Sequence, residues 1–267
     1  MKAYLSFFRM RLVNGLQYRT AALAGVITQF FWGFMEIQLY RAFYADHAAA
    51  FPMQFPHLVS YIWLRQAFWA LLNTWTYENE LFDMILNGNV AYELCRPTSL
   101  YGMWFSRTAA LRLSRAALRF WPILLVAALL PEPYRMHLAA TPLTFVWFLL
   151  SLALTVCVTV ALTLIVYFSC FYTVSADGIR AILMPLTDFL CGGMIPLPFM
   201  PKGLARALQY SPFGAMLNAP LRIYSGDIAG HAMAETMLLQ VFWLGVLCAV
   251  GYWMQKRGMK HLCVQGG

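Results

Sequence analysis

The sequence predicts an all-α membrane protein, and three observations carry that prediction. First, 61% of the 267 residues are hydrophobic and only 11% are charged, more apolar surface than a water-soluble fold hides; the mean hydropathy is +0.61. Second, apolar runs recur along the chain at the length of about 20 residues that a helix needs to cross a bilayer. Third, a charged island, ENELFDMILNGNVAYELCRPTSLYGMWFSRTAALRLSRAALR at Glu78–Arg119, stands between such runs. A polar loop of that kind faces water. Aromatic residues make up 16% of the chain, which suits bilayer interfaces where Trp and Tyr settle.

Taken in order, residues 1–19 form a basic amphipathic segment. Tyr4, Leu5, Phe8, Leu12 and Leu16 share one helical face and Arg9 and Arg11 lie elsewhere, predicting a helix in the inner interface with its cations toward anionic headgroups. Six spans are predicted: 20–44 with Glu36, 57–77 with Arg65, 107–130, 142–172, 179–199 and 236–254. The third carries Arg107, Arg112, Arg115 and Arg119 in its first half. Outer loops follow span 1 (Asp46, Pro52, Pro56), span 3 (Pro131, Glu132, Pro133, Arg135) and span 5 (202–235), and Ser175, Asp177 and Gly178 mark a tight inner turn. Both termini are then cytoplasmic. The basic residues agree: Lys2, Arg9, Arg11, Arg19, Arg96, Arg180, Lys256, Arg257 and Lys260 fall inside, against Arg41, Arg135, Lys202, Arg206 and Arg222 outside, the expected bias. The whole of 1–267 reads as one transmembrane domain without internal repeats.

Several functions are excluded. The net charge of +8 is scattered over the chain and builds no basic domain for nucleic acid. No GxxxxGK[ST] occurs, and Lys2, Lys202, Lys256 and Lys260 are the only lysines, so the chain has no phosphate-binding loop of its own for ATP. GxSxG and HExxH are absent, and His47, His57, His137, His231 and His261 have no metal-ligand spacing. Neither a catalytic residue nor a cofactor or metal ligand is predicted. Cys95, Cys157, Cys170, Cys191, Cys248 and Cys263 all fall in spans or cytoplasmic segments, which predicts free thiols. The first 19 residues lack a continuous apolar core, so no cleavable signal is expected.

Within the island, Leu81, Met84, Ile85 and Leu86 recur at helical spacing, Gly88-Asn89 stops the pattern and Arg96-Pro97 breaks the chain again. This predicts a short amphipathic helix lying against the membrane and open to a soluble partner. Inside the spans, ionisable groups are expensive and require partners or water. Glu36 and Arg65 reach similar depths, as do Arg119 and Asp188, so one or both pairs are expected to tie the bundle or line a conduit; snorkelling to the interface is the alternative. Arg112, Arg115 and Arg119 share a face that must meet protein or water. Span 5 is broken by Pro185, Gly192, Gly193, Pro196, Pro198 and Pro201. Irregular backbone at membrane depth persists only where protein or water covers it. CGGMIPLPFMPKG is therefore either a helix that ends early beneath a lid of short outer helices or a proline-rich outer loop.

The order of parts resembles the membrane subunit of ABC-2 type exporters, near the drug- or antibiotic-export branch. The residues that carry the likeness are GNVAYELCRP at Gly88–Pro97, GGMIPLPFMP at Gly192–Pro201, SPF at Ser211–Phe213 and Ala219-Pro220, together with the amphipathic start and the six-span plan. The resemblance implies a multi-pass protein of the bacterial cytoplasmic membrane. Two such permeases, as homodimer or heterodimer, would pair in the bilayer, and two separate ATPase subunits would hold ATP and Mg2+ below them. It implies a coupling helix at about Asn79–Ala91, with Leu81, Phe82, Ile85 and Leu86 in an ATPase groove and Glu80 and Asp83 at its rim. Re-entrant outer helices fall at about Pro201–Tyr224, and substrate would pass along spans 1, 2 and 5. Unlike sugar-polymer exporters of that fold, this chain has no aromatic ladder, although Phe30, Phe31, Trp32, Phe34, Trp69 and Trp75 are candidates for an apolar path. A membrane-embedded lipid-headgroup transferase and an ATP-independent channel or accessory subunit are the competing readings.

Overall fold

A computed structural model describes residues 2–17, 19–47, 51–173 and 176–261. The expected turn residue Ser175 and the tail from Leu262, with Cys263, lie outside them. Every regular element among the described residues is helical. In chain order the α-helices are α1 (Lys2–Gly15), α2 (Arg19–His47), α3 (Phe55–Ala67), α4 (Trp69–Leu72), α5 (Asn79–Leu86), α6 (Val90–Leu94), α7 (Leu100–Ala117), α8 (Phe120–Leu129), α9 (Pro142–Ser169), α10 (Ala176–Leu190), α11 (Lys202–Gln209), α12 (Ala219–Tyr224) and α13 (His231–Gly258). Three stretches are long and apolar enough to cross a membrane: Ala22–Ala45 in α2, Pro142–Tyr172 starting with α9, and α13.

Of these, α9 is the pillar. The apolar window of α9 is 61% buried, against 17% for that of α2 and 11% for that of α13, so α2 and α13 turn most of their surface outward. Thr141 caps α9 by accepting from the Thr144 amide at 3.1 Å, and Pro142 occupies the first turn, where a missing N–H costs nothing. Ser151, Thr155, Thr159 and Thr163 then follow at four-residue intervals, all buried on one face. The α13 residue Gln240 meets this stripe. Ser151 donates to Gln240 Oε1 at 2.9 Å, and Gln240 Nε2 donates to Thr155 Oγ1 at 2.9 Å and to the Ala215 carbonyl at 3.0 Å. Such interhelical bonds hold where lipid gives apolar faces no reason to associate.

Element boundaries differ from the expected ones for local reasons. The helix expected over 57–77 is α3 followed by α4, and it stops at Leu72. There the Asn73 side chain takes the Trp75 amide at 3.2 Å and the Thr76 hydroxyl at 2.7 Å, turning the chain. The helix expected from Arg107 starts at Leu100, because Ser99 accepts from the Gly102 amide at 3.5 Å as an N-cap; it breaks between α7 and α8 at Leu118–Arg119. The one expected to Phe199 ends at Leu190. Gly192 then turns the chain at φ +85°, a conformation other residues rarely adopt.

α1 lies along α7. Its packed face is largely the expected one, with Tyr4, Phe8, Leu12 and Leu16 half-buried, but Leu5 is 70% exposed and Phe7 joins the face instead; Tyr4 Oη accepts from the Ser99 amide at 2.8 Å. Arg11 and Gly15 continue that face toward α7. Two cores result. The larger surrounds α3 with Tyr61, Ile62 and Trp63 at its centre. The smaller joins α5, α7 and the lower end of α9 through Leu81, Phe82, Trp104, Tyr167 and Phe168.

Candidate functional site

The polar loop folds into a clipped-on helix. α5 buries Leu81, Phe82 and Ile85 against Tyr77, Trp104 and Tyr167, with the Phe82 and Tyr167 ring centroids 4.8 Å apart. The groove contacts expected of those three side chains are thus made within the chain itself. Its opposite face presents Glu80, Asp83 and Leu86 to solvent. Four hydrogen bonds fix the helix. Arg107 Nε donates to Glu78 Oε2 at 2.9 Å and Arg107 Nη2 donates to Glu80. The Tyr167 hydroxyl accepts from the Glu78 amide at 2.7 Å. Arg180, on α10, stacks over Phe82 at 5.1 Å and donates to Asn79 Oδ1 at 3.1 Å. After the Gly88 turn at φ +71°, α6 buries Val90 but leaves Tyr92 76% and Leu94 42% exposed. Leu86, Tyr92 and Leu94 are thus exposed apolar side chains of α5 and α6.

Of the two expected charge pairs, one forms. Glu36 of α2 and Arg65 of α3 form a salt bridge. The same guanidinium also donates to the Gly193 carbonyl at 2.9 Å, so it ties α2, α3 and the Gly192–Gly193 turn together. Asp188 also lies at this turn: a side chain on Gly193 would collide with it. Arg65 is the cation beside Asp188. Arg119 stands elsewhere, against Gly25 of α2. The three arginines expected on one face also separate. Arg112 is completely buried and donates to the Asn73 carbonyl at 2.6 Å, the Thr163 hydroxyl at 3.1 Å and the Leu71 carbonyl at 3.3 Å, whereas Arg115 and Arg119 line a cavity between α1 and α7.

At the turn after α10, Gly192, Gly193 and Pro196 are buried, Pro198 is half-buried and Pro201 is exposed. Leu197, Met200 and Leu208 form a small core of their own with α11. The segment continues through a kinked stretch, Gly214–Asn218, into α12, and both are buried against α9. Arg222 and Asp227 close its far end with a salt bridge.

Of the aromatic candidates, Phe30 stacks on Trp63 at 5.3 Å and Phe34 packs on Tyr134 at 5.2 Å, while Phe31 and Trp32 point out of the bundle at 62% and 61% exposure. Trp69 is half-buried and Trp75 exposed. The Ser/Thr stripe of α9 and its Gln240 partner were missed by the sequence reading, although their four-residue spacing in the longest apolar run was the available signal. Among the described residues, no group of three His, Cys, Asp or Glu side chains is placed to hold a metal ion. Comparison with models of known protein families and with curated proteins gives no match.

Proposed function

We propose that this chain is the permease subunit of an ATP-driven exporter of the ABC-2 type in the bacterial cytoplasmic membrane. The observation that carries the reading is α5. An eight-residue helix is fastened to the bundle by its apolar face and by Arg107 and Arg180, and it holds Glu80, Asp83 and Leu86 outward. Such an element transmits force: a soluble ATPase gripping the outward face moves α7, α9 and α10 through the buried one. ATP and Mg2+ belong to that partner. The motor must contact two permease states differently, since a partner with equal affinity for both shifts nothing.

In this reading the chain crosses the membrane six times, by α2, α3–α4, α7–α8, α9, α10 with the outer turn, and α13. At ~1.5 Å per residue, α3–α4 rises ~27 Å and α7–α8 ~45 Å, against ~30 Å of hydrocarbon. A second permease, a copy or a sister chain, covers the apolar face of α2 carrying Phe31, Met35 and Leu39, each more than half exposed. A hydrophobic or amphipathic substrate passes between the two chains. The outer turn, held by Arg65, forms the gate.

Purification of the tagged chain in mild detergent tests this. The expected result is co-elution of an ATP-hydrolysing chain, and loss of it from the Leu86→Asp, Tyr92→Ala variant while that variant still inserts and elutes as a folded species. Elution without any ATPase from native membranes overturns the reading.

A further inference from the structure

A cavity of about 410 Å3 opens between α1, the start of α2 and α7. That lies within the ~300–1,000 Å3 typical of small-ligand sites. Four guanidinium groups, from Arg11, Arg107, Arg115 and Arg119, line it together with one carboxylate, Glu78. Arg107 is already committed to Glu78 and Glu80. Arg11 is turned inward from a helix whose other cations face out; its Nε is buried and has no hydrogen-bond partner among the described residues, and its only other contact of note is the Phe7 ring at 5.4 Å. No carboxylate among the described residues pairs with Arg11 or Arg115. Arg11 is half-buried and Arg115 exposed at the mouth, so two cations face the same opening with no carboxylate opposite them, an arrangement that attracts an anion.

We infer that this cavity binds a phosphate group, with Arg11 and Arg115 as its principal donors. The guanidinium fork matches phosphate oxygens in bidentate geometry. Leu111 and Leu118 form an apolar flank that suits the glycerol and first methylenes of a phospholipid. The cytoplasmic leaflet, where an amphipathic α1 lies, is rich in anionic headgroups. An anionic phospholipid and a free phosphate-bearing solute share this chemistry. The inference concerns α1 and α7 alone and stands whether or not an ATPase drives the chain.

The test measures two things on the purified full-length chain. The first is retention of phosphatidylglycerol over phosphatidylcholine by native mass spectrometry from mixed-lipid nanodiscs. The second is the thermal shift produced by inorganic phosphate. The wild type should prefer phosphatidylglycerol. Arg11→Gln with Arg115→Gln should weaken that preference by about tenfold per lost charged hydrogen bond. Arg11→Lys with Arg115→Lys should keep much of it, and Arg206→Gln, on distant α11, should change nothing. Displacement of the lipid by phosphate shows that the phosphate group alone is recognised, and resistance to displacement assigns the site to the whole lipid. A phosphate shift without lipid preference, lost in the Gln pair, assigns it to a soluble phosphate. If neither lipid preference nor phosphate shift occurs, or if both survive in the Gln pair, the inference fails.

Discussion

Arg65 and Arg112 show how one side-chain type does two jobs when buried inside a helical bundle. Arg65 answers a carboxylate, Glu36, and uses its remaining donor on the Gly193 carbonyl. Arg112 pairs with no carboxylate among the described residues; it binds the carbonyls that α4 leaves open at its end, together with Thr163. Helix C-termini carry partial negative charge and unsatisfied carbonyls, so a buried cation there serves as a cap. Breaking a buried pair by removing one partner is costly. Glu36→Gln should therefore lower stability by about 3 kcal/mol, seen as earlier loss of the monodisperse species on heating in detergent. The exchanged pair, Glu36→Arg with Arg65→Glu, should recover part of that loss, and no recovery over either single variant would remove the pair from the account. Depth along two apolar runs was enough to suggest Glu36 with Arg65. It could not place Arg119, which lies against Gly25, about three helical turns along α2 from Glu36. Nor could it reveal the Gly193 carbonyl as a ligand of Arg65, since backbone atoms leave no mark in a residue pattern.

At the scale of elements, α5 was legible in sequence because its apolar residues recur with helical spacing and Gly88 ends it. Which face binds what was not legible. An amphipathic helix between membrane spans has two possible hosts for its apolar side, and only the aromatic cluster of Trp104, Tyr167 and Phe168, assembled from distant segments, settles the choice. Two substitutions one position apart should therefore separate. Ile85→Asp places a charge in that cluster and should release α5 from the bundle, exposing 79–96 to limited proteolysis and abolishing coupling. Leu86→Asp changes only the exposed face; it should leave proteolysis unchanged while weakening ATPase stimulation. Equal protease resistance of the two variants would contradict the division of the helix into a fastened face and a free one.

For the molecule as a whole, composition and apolar runs were sufficient to identify a helical membrane protein, and three helices are long and apolar enough to span. The bundle's inner organisation was harder to see. The Ser/Thr stripe of α9 looks like ordinary polar scatter until Gln240 and Arg112 arrive from α13 and α7. The basic cavity likewise depends on α1 turning Arg11 toward α7, which the apolar face of α1 did not foretell.

The central claim is that a cytoplasmic motor grips the polar loop. Cys95, exposed at the end of α6, reports on it once the other five cysteines are changed to serine. A membrane-impermeant maleimide should leave Cys95 unlabelled in intact cells. In inverted vesicles it should label Cys95 slowly, and faster after peripheral proteins are stripped away. Labelling in intact cells, or a rate in inverted vesicles indifferent to stripping, would contradict the claim.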